Sequence, residues 1–133
     1  MVQTRQDAER ALASLEERIT RFADLEPDWD SYGAKPISPD AIAKAQNVLR
    51  SLIQRANPRL EERVLSVWIA PLPNGGVLLE WRRAMADVEV EVTADGALDL
   101  LVEQRVGEAD ETFERADIPV EEIASLLDDV LAA

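Results

Sequence analysis

Carboxylates are the only abundant side chains in this sequence suited to acid–base or metal chemistry. There are 27 Asp and Glu residues among 133, against 14 Lys and Arg, with neither histidine nor cysteine. The missing imidazole removes the commonest general base, every Ser-His-Asp or Cys-His arrangement, and the usual zinc ligand sets. The missing thiol removes disulfides and sulfur nucleophiles and makes a cytoplasmic address the default expectation. No GxxxxGKS/T or GxGxxG run is present to cradle a phosphate. Asp28-Trp29-Asp30-Ser31-Tyr32-Gly33 opens like an EF-hand loop, with acids at its first and third positions and glycine at its sixth. Its twelfth position is Pro39, where calcium needs a bidentate glutamate, and Pro36 interrupts the run. Neither a metal nor another cofactor is expected, and the chain reads as a non-enzyme.

The carboxylates are unevenly placed. Residues 1–85 carry 12 basic and 12 acidic side chains, whereas residues 86–133 carry 2 and 15, so the last third holds the whole net charge of −13. Concentrated like charge keeps a protein soluble but opposes folding by self-repulsion. Two readings remain side by side: a solvated acidic face, or a docking surface for a basic partner. Direct nucleic-acid binding is not expected, because phosphate contacts need a basic patch. Nor is a membrane span, which needs about 20 consecutive apolar residues. The first residues lack the apolar core of a signal peptide.

The elements that must position these groups follow from hydrophobic periodicity. Residues 4–25 predict a first helix, with Ala8, Leu12, Leu15, Ile19 and Phe22 forming one stripe. Ser38-Pro39 reads as the cap and first turn of a second, running to about Ala56 and ended by Asn57-Pro58. From Val64 to Gln104 the chain reads as a four-stranded antiparallel meander, with Val64–Ile69 as its first strand. Asn74-Gly75 predicts a two-residue hairpin loop, setting Trp68 opposite Trp81 and Ala70 opposite Leu79. In the run Ala86–Val92, Val88, Val90 and Val92 point inward while Asp87, Glu89 and Glu91 point outward. A two-residue Asp95-Gly96 loop would bury Asp99, so a three-residue loop that pairs Val92 with Leu98 is preferred. This register sets Glu80 against Glu89 and Glu91 against Asp99, both like-charge pairs. Phe113 anchors either a fifth strand or a loop, and residues after Pro119 form a last helix. The expectation is one α+β domain: two helices, a four- or five-stranded meander and a terminal helix, with helices mainly on one sheet face.

Three segments, DWDSYGAKPISPDAI, APLPNGGVLLEW and VEVEVTADG, together resemble a family of small acidic bacterial proteins of unassigned function. The pattern is WD-x-x-GA-x-P-x-S, then GG-x-x-LEW, then an acidic strand ending in Asp-Gly. It covers the middle half of the chain. The resemblance implies a bacterial or phage origin and draws attention to Trp29, Gly33, Gly75, Gly76, Glu80 and Trp81.

The candidate partner-binding residues are Asp28, Trp29, Asp30 and Tyr32 on the loop, and Glu80, Asp87, Glu89, Glu91, Asp99 and Glu103 on the strands. For the loop a structural reading competes, in which Trp29 and Tyr32 fold over the helix–sheet seam and an Asp holds local amides. The leading functional expectation is an interaction module for a basic protein, of antitoxin, immunity or inhibitor type. A homodimeric adaptor resembling small secretion chaperones is the alternative, using strand Val64–Ile69 or the last helix as its interface. A carboxylate-dependent metal enzyme ranks third.

Overall fold

A computed structural model describes residues 3–55 and 57–131. The order is α1 (Gln3–Arg21), a 3-10 turn (Phe22–Asp24), α2 (Pro39–Gln54), α3 (Pro58–Ser66), β1 (Trp68–Pro71), β2 (Val77–Arg82), β3 (Ala86–Val92), β4 (Leu98–Val106), β5 (Ala109–Arg115) and α4 (Val120–Val130). The class is α+β. All five strands form one antiparallel meander in the order β1-β2-β3-β4-β5. The alternate residues Val77, Leu79, Trp81, Val88, Val90, Val92, Leu98, Leu100 and Val102 are buried and form one core with the helix stripes. No helix among the described residues is long and apolar enough to cross a membrane.

Two details depart from what the sequence predicts. The run before Trp68 is helical, so there are four helices rather than three and no strand Val64–Ile69. α2 ends at Gln54, and Asn57 caps the next helix, its side chain accepting the Arg59 N–H at 2.9 Å, with Pro58 in the first turn. Leu60 and Val64 then fall at helical spacing on the buried side. The expected end of α2 at Ala56 lies outside the described residues.

The first hairpin has a different register. Trp68 lies opposite Glu80, and Ile69 opposite Leu79. The loop is three residues, Pro73-Asn74-Gly75: the Gly75 N–H donates to Leu72 O at 3.0 Å and the Leu72 N–H to Gly76 O at 2.9 Å. A two-residue Asn74-Gly75 loop would set Pro73 opposite Gly76 in a pair that needs an N–H from each residue, which proline lacks, whereas Pro73 suits the second position of a type I turn. Gly75 at φ +92 then supplies the left-handed step. Trp68 and Trp81 consequently sit on opposite faces, the first 57% exposed and the second 1%. The second hairpin uses the same device, with Gly96 at φ +87 and Val92 opposite Leu98, as expected.

The fifth strand forms, and every residue of it is exposed. Trp81 explains how the layers lock: its indole N–H donates to Arg63 O at 2.8 Å, tying β2 to α3. The Arg63 guanidinium is buried in turn and donates to Leu131 O at 2.8 Å, at the carboxyl end of α4. Burial, and next the nearby Arg83 charge, lower its pKa from the ordinary arginine value.

Candidate functional site

One sheet face is covered by helices; the other is bare. Strand alternation determines what stands on it. Row by row across the sheet, Trp68 lies beside Glu80, Glu89, Leu101 and Glu114; Leu78 beside Glu91 and Asp99; and Arg82 beside Asp87, Glu103 and Thr112. Arg105 and Asp110 complete the far corner. Eight carboxylates thus share a surface with two arginines. Arg82 pairs with Glu80 at 3.2 Å and Arg105 with Asp110 at 3.4 Å. Asp87, Glu89, Glu91, Asp99, Glu103 and Glu114 make no ion pair among the described residues.

The centre of this face is the Glu80–Glu89 pair. Glu80 is only 6% exposed, an unusual burial for a carboxylate on an uncovered sheet face. Burial raises the Glu89 pKa above the ordinary glutamate value; a hydrogen bond with Glu80, then the charges of Glu80 and Glu103, push the same way, against Arg82. Two carboxyls directly opposite one another resist ionising together, so Glu89 holds its proton more tightly than an isolated glutamate. Chemically, a face of this charge attracts cations.

Shallow concavities flank the pair. One of about 340 Å³ is lined by Ser66, Trp68, Glu80 and Arg82. Another of about 270 Å³ lies across the sheet among Glu89, Glu91, Asp99, Leu101 and Glu114. Both are open to solvent, and they combine apolar side chains with acids.

The six strand candidates named from the sequence, Glu80, Asp87, Glu89, Glu91, Asp99 and Glu103, all stand on this bare face. The sequence reading omitted Trp68, Arg82, Arg105, Asp110 and Glu114. Strand parity about Phe113, taken in both directions, places Asp110 and Glu114 on the face opposite its ring, and Trp68 follows from the hairpin register.

The four loop candidates form a separate group, and three of them, Asp28, Trp29 and Asp30, make local structural contacts. The Asp28 carboxylate accepts the Gly33 N–H at 2.7 Å, and Asp30 accepts the N–H groups of Tyr32 and Ala34 at 2.8 and 3.1 Å. Trp29 packs against the core and its indole N–H donates to Lys35 O at 2.8 Å. Tyr32 does not fold over the seam: it is 91% exposed. The segment that follows fastens to both hairpin tips. Lys35 N–H donates to Pro73 O at 2.8 Å, Ser38 N–H to Gly75 O at 3.0 Å, and the Ser38 hydroxyl to Ala94 O at 2.5 Å. The three resembling segments therefore meet at one end of the molecule.

Comparison of the chain with protein-family models, curated proteins and solved structures gives no match. Among the described residues, no group of three or more His, Cys, Asp or Glu side chains is arranged to hold a metal ion.

Proposed function

We propose that this protein is a non-enzymatic interaction module that docks its bare sheet face on a basic protein, in the manner of an antitoxin, an immunity protein or an inhibitor. The observation that carries this reading is the gathering of eight carboxylates, six of them without an ion pair among the described residues, on the sheet face that no described helix covers. A face intended only for solvation gains nothing from setting Glu80 opposite Glu89 and Glu91 opposite Asp99, arrangements that weaken the sheet. An arriving lysine or arginine relieves both repulsions together. The partner's charge also accelerates encounter, since complementary fields steer association. Trp68 and Leu101 border the acids and supply the apolar contact that anchors an interface. A cytoplasmic address belongs to the same reading.

The test is capture from a bacterial lysate at low salt, with the bait protein in wild-type form and as Glu89→Lys/Glu91→Lys/Asp99→Lys. A basic protein should be retained by the wild type alone and released steeply as salt rises. Equal retention by both baits, or retention that salt does not weaken, would overturn the proposal.

A further inference from the structure

The outer edge of β5 is a strand edge, unpaired among the described residues, that carries its own matching surface. We propose that it pairs antiparallel with β5 of a second copy, in the register that sets Phe113 opposite Phe113, giving a ten-stranded sheet. This goes beyond the docking function and is independent of it.

The backbone makes the edge available. Arg105 N–H donates to Met85 O at 2.8 Å, and Ile118 N–H to Leu98 O at 2.8 Å. Odd-numbered residues of β4 therefore bond toward β3 and even-numbered ones toward β5. Through the pairs Val106–Ala109, Gln104–Glu111, Val102–Phe113 and Leu100–Arg115, the odd-numbered residues of β5 are spent on β4. Asp110, Thr112 and Glu114 direct their N–H and C=O groups outward, and no strand among the described residues pairs with them.

The side chains select one register. Edge strands ordinarily carry charge to forbid self-pairing, and four of the five registers centred on residues 110–114 obey that rule. Centring on Asp110, Glu111 or Glu114 sets each of these acids against its own copy. Centring on Thr112 sets Asp110 against Glu114 twice. Centring on Phe113 instead sets Glu111 against Arg115 twice, and Thr112 against Glu114. Phe113 is 44% exposed on the helix side of the sheet, beyond the reach of the core. In this register it meets its own copy at a pair without mutual backbone hydrogen bonds, where side chains approach most closely. Arg115 already bonds Glu122 of α4 at 2.8 Å, which holds its guanidinium on the same side as Glu111.

Both helical layers then lie on one side and both acidic faces on the other, so the pair presents one continuous negative surface. The −13 charge of each copy opposes assembly. Salt screens that repulsion, and self-association should strengthen as salt rises from about 10 mM to about 1 M, over which the Debye length shrinks from ~30 to ~3 Å. Docking of a basic protein responds to salt in the opposite direction, so the two proposals fail separately.

Sedimentation equilibrium of the full chain up to millimolar protein, at both salt limits, is the experiment. The wild type should dimerise at high salt. Thr112→Pro removes only an outward N–H and should abolish the dimer while leaving the monomer's circular dichroism unchanged. Arg115→Glu and Glu111→Arg should each weaken association at least tenfold, and the double swap Glu111→Arg/Arg115→Glu should restore most of it. A wild-type monomer at every concentration and salt overturns the proposal. So does a dimer indifferent to Thr112→Pro, or a double swap no better than either single variant.

Discussion

Glu89→Gln should make this protein more stable, not less, and only where glutamate would be charged. At neutral pH the Glu89 carboxyl faces a nearly buried Glu80, whose one bonded cation among the described residues is Arg82. Like charges directly opposite on neighbouring strands cost up to about 1 kcal/mol, and the upper end applies here because Glu80 is 6% exposed. Glutamine has nearly the same shape, and its amide N–H can donate to the Glu80 carboxylate in place of the shared proton. The expected gain is about 0.5–1 kcal/mol near neutrality, or roughly 2–4 °C in Tm for a domain of this size. The pH dependence supplies the sharper test. Because folding raises the Glu89 pKa, the folded state binds the additional proton in a window above the ordinary glutamate value. Wild-type stability therefore falls as pH rises through that window, and the favourable contribution is complete only below the unfolded pKa. Glutamine lacks this fall, so its advantage should be greatest at about pH 8 and should shrink toward zero near pH ~4. Urea unfolding followed by tryptophan fluorescence measures both. A loss of stability at neutral pH, or an equal gain at the two pH values, would refute the reasoning.

Other perturbations should separate structural from surface residues. Gly76→Ala places a Cβ 2.3 Å from Val92 O, a backbone clash that should cost at least about 2 kcal/mol in urea unfolding. Trp81→Phe removes the indole donor from Arg63 O and leaves a buried gap, an expected loss of about 1–3 kcal/mol by the same assay. In the loop, Tyr32→Ala should stay within about 0.5 kcal/mol of wild type, whereas Asp30→Ala, which strands two amides, should cost about 1–2 kcal/mol. If the two loop variants proved equal in thermal melts, the assignment of Asp30 to structure would fail.

What could be read in advance depended on whether a wrong answer carried a penalty. In the second hairpin the alternative register buries Asp99, and the pattern rejected it. In the first, the segment Val67–Pro71 is apolar at every position. Either parity buries something greasy, and only the missing N–H of Pro73 distinguishes them. The same apolar run masked α3, whose cap at Asn57 reads equally well as the end of α2. β5 offers a single apolar anchor, Phe113, and no solvent-facing alternation to contrast with it, since both of its faces are wet. The acidic face itself was legible because β3 alternates without exception. The task of the Asp28–Gly33 loop was legible in part: an Asp holding local amides was expected and is found, whereas the outward place of Tyr32 depends on the fold of the loop.

Ser38 gives the molecule a chronological problem. Its hydroxyl accepts the Ala41 N–H at 3.0 Å to start α2, and it donates to Ala94 O, 56 residues further along. A ribosome adding about 5–20 residues per second exposes the helices well before the second hairpin exists. Until then α2 has its cap but not the anchor that orients it, and its apolar stripe has no sheet to cover. Nascent chains halted before Ala94 should therefore expose the apolar faces of α1 and α2 to chaperones, and release should coincide with emergence of the Asp95-Gly96 turn.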